Sequence, residues 1–139
     1  MNQKDLRYFE VAKTLSYTSK VRYKIGAVVV VKHTIISVGV NSDKTHPTQK
    51  YYNQYRFNTF LYDTLHSLHA EIQALIKVPK DIDLSDATVY TYRENRAGSL
   101  AKSRPCKSCL QMIKDYGIKR ICYTTEDGYC EEYLTDSIG

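Results

Sequence analysis

Two short segments, well separated along the chain, hold side chains suited to one metal ion, and any fold must bring them together. His69-Ala70-Glu71 and, further on, Pro105-Cys106-Lys107-Ser108-Cys109 supply an imidazole, a carboxylate and two thiols. An imidazole and two thiolates suit Zn²⁺, and three protein ligands leave its fourth tetrahedral position open, as in catalytic rather than structural zinc sites. Such a metal makes water a nucleophile near neutral pH. A carboxylate that is not a ligand, Glu71, can then carry protons. Cys-x-x-Cys alone also marks structural zinc and redox sites, or two core thiols at helical spacing. The discriminating feature is its combination, in this order, with His-x-Glu and a proline directly before the first cysteine.

At 139 residues the chain is long enough for one domain with a proper core and too short for two, so residues 1–139 are read as a single domain. No apolar run approaches membrane-spanning length, and Met1-Asn2-Gln3-Lys4-Asp5 does not open a signal peptide. A cytoplasmic protein with no membrane partner is expected. In that reducing compartment Cys122 and Cys130 are expected as buried small hydrophobes rather than a disulfide.

The net charge of +5 is unevenly spread. From Arg93 to Lys107 five basic residues (Arg93, Arg96, Lys102, Arg104, Lys107) stand against Glu94 alone. From Glu126 onward there are five acidic residues and no basic one. The positive stretch leads into the cysteines, which suits a phosphate-bearing substrate and equally suits a solvated loop.

Periodicity gives the elements. Asp5 is expected to cap a first helix that buries Tyr8, Val11, Ala12 and Leu15. Ile25–Val31 is uniformly apolar and β-branched, which predicts a central strand covered on both faces. Lys32-His33, an exposed turn, reverses it into a hairpin with Thr34–Val40. From Asn41 to about Asp63 no period is legible, and Thr45-His46-Pro47 marks a turn. A helix over Ser67–Val78 places Leu68, Ile72, Leu75 and Ile76 on one face. Strands are expected at Thr88–Tyr92, Lys119–Thr124 and Tyr129–Tyr133. A third helix begins near Cys106, with Cys106, Cys109, Leu110 and Ile113 on one face, Pro105 and Ser103 at its start and Gly117 at its exit. Thr125-Glu126-Asp127-Gly128 leaves no room for a helix between the last two strands, so these must pair antiparallel.

The H-x-E…P-C-x-x-C pattern resembles the zinc-dependent cytidine/deoxycytidylate deaminase superfamily, over roughly residues 5–134. The resemblance implies an α/β fold: a three-layer α/β/α cytidine-deaminase-like domain with a five-stranded mixed sheet, strands 4 and 5 antiparallel. Within that superfamily the tRNA-adenosine and deoxycytidylate deaminases place a helix between the last two strands, whereas the free-nucleoside cytidine deaminases join them directly. On this trait the chain resembles the second group, although the rest of its sequence does not follow that group closely. It further implies a zinc-dependent hydrolase, Zn²⁺ as cofactor and a homo-oligomer. By the same resemblance His69, Cys106 and Cys109 are the metal ligands and Glu71 is the catalytic proton shuttle. Asn41 matches an asparagine that hydrogen-bonds the base or sugar, an amide being both donor and acceptor; it is also an ordinary strand-end turn residue. Ala27 matches a small residue whose backbone faces the substrate, and fits a packed core strand nearly as well.

The chain departs from the family pattern between the third strand and Pro105, where Arg93–Arg104 forms a longer arm bordering the metal pocket. Arg96, Lys102 and Arg104 in that arm are candidate contacts to a substrate phosphate. His66 is read as a neighbour of the metal site or a surface residue, not a further ligand. The spacing of His46 with Cys122 or Cys130 offers no support for a second zinc site.

The reading that follows is zinc-dependent hydrolytic deamination of a cytosine base in a free nucleoside or nucleotide (cytidine, CMP or dCMP type), releasing ammonia to leave a uracil base. The expected partner is then a small-molecule nucleoside or nucleotide. The alternative is a deaminase acting on a base within RNA or DNA, of the tRNA-adenosine or single-stranded DNA type. It is motivated by Tyr51, Tyr52, Tyr55, Phe57, Phe60 and Tyr62 crowding together with Lys50 and Arg56. Aromatics interleaved with cations suit single-stranded nucleic acid, and suit a subunit interface too. A third class is a catalytically idle, zinc-stabilised binding module, against which the presence of Glu71 argues.

Overall fold

The apolar run Ile25–Val31 is strand β1, and it turns through Lys32 and His33, at φ 48° and 69°, into strand β2 over Thr34–Val40. Two successive residues at positive φ form the tight turn whose twist matches its flanking strands. The computed structural model describes residues 1–55 and 67–135. In it the sheet is completed by β3 (Ala87–Arg93), β4 (Arg120–Thr125) and β5 (Gly128–Tyr133), in the order β2-β1-β3-β4-β5. β1 pairs antiparallel with both neighbours, β3 and β4 run parallel, and β4 and β5 form the expected antiparallel hairpin.

Helix α1 (Gln3–Ser16) covers one face of this sheet. Helices α3 (Ala70–Ile76) and α4 (Lys107–Asp115) cover the other, with α2 (Pro47–Tyr52) beside them. Alternate residues of β1 serve the two layers: Val28 and Val30 join Phe9, Ala12 and Tyr90, while Ala27 and Val29 join Ile72, Leu75 and Met112. The architecture is the three-layer α/β/α arrangement.

Several local expectations are corrected. Asn2, not Asp5, caps α1; Asp5 sits three residues on, and the two exchange backbone-to-side-chain bonds of 2.9 and 3.3 Å in a capping box. The buried face of α1 is Tyr8, Phe9, Ala12 and Ser16, with Val11 and Leu15 only half-buried. Gly26 accounts for this register: a Cβ there would run into the carbonyl of Ala12, so α1 lies directly on β1 at that point. Pro47 opens helix α2 rather than a turn. His46 Nδ1 accepts the Thr48 amide at 3.0 Å, and proline at the first helical position forfeits no hydrogen bond. A 3₁₀ turn over Asn53–Tyr55 follows. Helix α3 is shorter than Ser67–Val78, because Leu68 is held extended by reciprocal 2.9 Å backbone bonds with Ser42. On α4 Ser108 and Met112 are buried with Cys109 and Ile113, whereas Leu110 is half-buried.

Gly117 ends α4 at φ 83°. All four cysteines are free thiols, Cys122 buried and Cys130 half-buried. Expectations for Arg56, Phe57, Phe60, Tyr62 and His66 lie outside the described residues. Among the described residues no helix is long and apolar enough to cross a membrane.

Candidate metal centre and its cavity

Helices α3 and α4 both begin at the same place. His69 is the N-cap residue of α3 and Cys106 that of α4, and neither side chain caps its own helix. His69 Nδ1 lies 3.3 Å from Cys109 Sγ and 3.5 Å from Cys106 Sγ, and all three donor atoms fall within 4.8 Å of one another. Zinc bonds of ordinary length at the tetrahedral angle give a nitrogen–sulfur edge of about 3.6 Å. The donors are therefore spaced and typed for zinc. This is the one such group among the described residues, so His46 and the remaining cysteines form no second centre there.

Glu71, in the first turn of α3, is 4% exposed and reaches Cys109. Burial raises the pKa of its carboxyl from the ordinary value, against the opposing pull of His69. A hydrogen bond from Cys109, with help from His69, outweighs burial and holds the Cys106 thiol down at about 3. Burial pushes Cys109 well up. A coordinated metal deprotonates both thiols outright, and the positive ends of two helices favour the negative charge that results. Three metal donors beside a buried proton carrier can activate water and move protons.

The supports of this centre come from residues whose types announce nothing. Gln49, buried in α2, accepts the His69 backbone amide at 2.8 Å. At Gly39 the backbone of α3 presses directly onto β2, since a Cβ there would meet the Ala70 carbonyl. Thr91 of β3 and Thr124 of β4 clamp the end of the arm that leads to Cys106. The Thr91 hydroxyl donates to the Ser103 carbonyl at 2.8 Å, the Thr124 hydroxyl to the Ala101 carbonyl at 2.7 Å, and Ser103 Oγ accepts the Thr124 amide at 2.8 Å. Ser103 thus fixes the arm to the sheet and does not cap α4.

A cavity of about 480 Å³ opens over His69, Glu71 and Cys106, with Asn41, Lys102 and Arg104 also on its wall. Asn41 is tightly engaged: its Oδ1 accepts the Ile25 amide and the Ser19 hydroxyl at 2.9 and 2.8 Å, and its Nδ2 donates to the Tyr23 carbonyl. Ala27 is fully buried in the core, and it is Ile25 of β1 that lines the cavity. Arg104 is held by Glu132 through bonds of 3.0 and 2.8 Å. Arg96 lies on a separate, smaller cavity. The sequence alone did not mark Arg22, Tyr23 or Asp43, which also line this cavity; the cationic Lys20, Arg22 and Lys24 just before β1 were the available signal for the first two.

A family model described as the cytidine and deoxycytidylate deaminase zinc-binding region matches residues 2–125. The dCMP deaminase of cyanophage S-TIM5 in apo form superposes with a TM-score of 0.60 at 26% identity, covering 88% of this chain and 84% of that one. Its complex with dCMP and dUMP gives 0.59 at the same identity, covering 88% and 82%. The cytidine deaminase of Burkholderia pseudomallei superposes at 0.64 over 96% of this chain and 93% of that one, at 14% identity, a likeness of fold. No curated protein matches by sequence.

Proposed function

The chain belongs to the cytidine and deoxycytidylate deaminases, a family of zinc-dependent hydrolases, and from that premise we propose that it deaminates the cytosine base of a free nucleotide of the dCMP type. His69, Cys106 and Cys109 would hold the zinc. When bound, zinc supplies the Lewis acid that makes water a nucleophile near neutral pH. Glu71 accepts a proton from the attacking water and passes it to the ring nitrogen. It then carries a second proton to the amine, which leaves as ammonia while the ring carbon keeps the oxygen. The observation that carries this reading is Glu71 itself, buried beside Cys109 at the foot of the cavity. Burial raises its affinity for a proton, which suits a group that must both take and give one.

Asn41 fixes the segment before β1 through three of its hydrogen bonds, and its remaining N–H is the donor offered to base or sugar. Two observations support a monophosphate over a nucleoside. The cyanophage enzyme crystallised with dCMP and dUMP is 26% identical to this chain. Lys102 and Arg22 stand on the cavity wall, and neither is in an ion pair among the described residues. Action on RNA or DNA gains no support from these matches.

Zinc analysis and ammonia release from cytidine, deoxycytidine, CMP, dCMP and a single-stranded oligonucleotide test the proposal. About one Zn²⁺ per chain is expected, with the highest kcat/KM of these five compounds on dCMP. Turnover confined to nucleosides or to the oligonucleotide would overturn it.

A further inference from the structure

A second cavity, of about 180 Å³, adjoins the catalytic one and shares Arg22 and Tyr23 with it. Its other walls are Arg93, Glu94, Asn95 and Arg96. The Arg93 guanidinium lies 5.0 Å from the centre of the Tyr23 ring and that of Arg22 lies 5.6 Å from it. None of the three arginines is in an ion pair among the described residues. Glu94, whose Oε2 accepts the hydroxyls of Tyr17 and Tyr92 at 2.7 and 2.5 Å, keeps its negative charge but is one carboxylate against three guanidiniums, so the cavity stays net positive. Arg93 donates through Nη1 to the Lys102 carbonyl at 3.2 Å, yet its Nε is buried with no partner.

The arm that carries Arg96 is a closed turn. Asn95 Oδ1 accepts the amides of Ala97 and Ser99 at 2.9 and 3.0 Å, Gly98 takes φ 84°, and Leu100 pairs with Glu94. This turn belongs to the segment in which the chain departs from the family pattern. Together with Lys102 on the catalytic side, the two cavities hold four cations that lack an ion pair among the described residues, against the carboxyl groups of Asp43, Glu71 and Glu94 on the same walls. A monophosphate carries about two negative charges near neutral pH, and each further phosphate adds about one.

We propose that the pocket of Arg22, Arg93 and Arg96 binds phosphate, and that its occupant is the outer phosphate of a nucleoside di- or triphosphate whose base lies at Glu71. This rests on the deaminase reading above. Planar guanidiniums grip phosphate oxygens in pairs, and the Tyr23 ring, shared by the two cavities, has the guanidiniums of Arg22 and Arg93 within 5.6 and 5.0 Å of its centre.

The test compares deoxycytidine mono-, di- and triphosphate as substrates of the zinc-loaded full chain at fixed ionic strength, with Arg96→Ala and Arg93→Gln beside the parent. The triphosphate should show a KM about tenfold below that of the monophosphate, as one charge-assisted contact allows. Either substitution should bring that ratio toward one. A parental ratio of one, or a ratio that neither variant changes, overturns the proposal. Calorimetry with tripolyphosphate reads the pocket apart from turnover. If no cytosine compound is deaminated, the functional reading fails, while binding that Arg96→Ala abolishes upholds the phosphate pocket and absence of binding overturns it. Arginine-dependent deamination of a single-stranded oligonucleotide would overturn the assignment to free nucleotides.

Discussion

Glu71 is the residue at which binding and turnover can be separated. Glutamine keeps the side-chain shape but cannot carry a proton. Glu71→Gln should therefore retain zinc and base affinity while kcat falls at least about 100-fold, the usual loss for a general acid/base. Metal analysis together with single-turnover ammonia release checks this, and parental turnover in the Gln variant would remove Glu71 from the role. His69, Glu71, Cys106 and Cys109 were legible as a set because their chemistry is declared by residue type and order. Gln49, Thr91 and Thr124 were not, since their work is to satisfy backbone groups of distant segments, and residue type does not name the partner. The arm shows the same limit. Its charge was legible, but not that Arg104 is taken up by Glu132 or that Arg96 turns to another cavity.

At the scale of elements, β1 and β2 kept the bounds expected of them because an unbroken β-branched run and a two-residue reversal leave few alternatives. The helices were less legible. The start of α3 depends on a bridge to Ser42, and α2 depends on a histidine cap before a proline. Two glycines decide how closely helices approach the sheet, and they make different predictions. Gly26→Ala drives a methyl group into the Ala12 carbonyl and should push α1 away from β1. The expected cost is about 1–3 kcal/mol in urea unfolding, with the metal site intact. Gly39→Ala meets the Ala70 carbonyl and Ala74 amide instead, at the helix that begins with His69 and Glu71. It should destabilise by a similar amount and in addition weaken zinc retention against a chelator. Equal zinc retention in the two variants would show that α3 is not the element that sets the site.

At the scale of the whole molecule, a half-buried ion pair ties the first turn of α1 to the far half of the sheet. Arg120 of β4 bonds both oxygens of Asp5, at 3.2 and 3.1 Å, and also pairs with Glu131 of β5, while the Tyr90 hydroxyl donates to Asp5 at 2.5 Å. Burial alone would lift the Asp5 carboxyl, but the bonds from Arg120 and Tyr90 outweigh it and hold it below its ordinary value. A carboxyl whose folded pKa is depressed contributes stability above its unfolded value, near 3.9, and loses that contribution as pH falls through the folded value. Asp5→Asn removes the charge from one side of this network while Arg120 keeps Glu131, and at neutral pH should cost about 1.5–3 kcal/mol. Comparing the variant with the parent at each pH cancels the loss of zinc that acid causes in both. The difference should be full at pH 7 and shrink once the pH falls below the ordinary carboxylate range, because the parent is then protonated at Asp5 as well. Urea unfolding at neutral and acid pH measures it, and a difference that stays constant across that interval would mean that the Asp5 charge contributes nothing to holding α1 on the sheet.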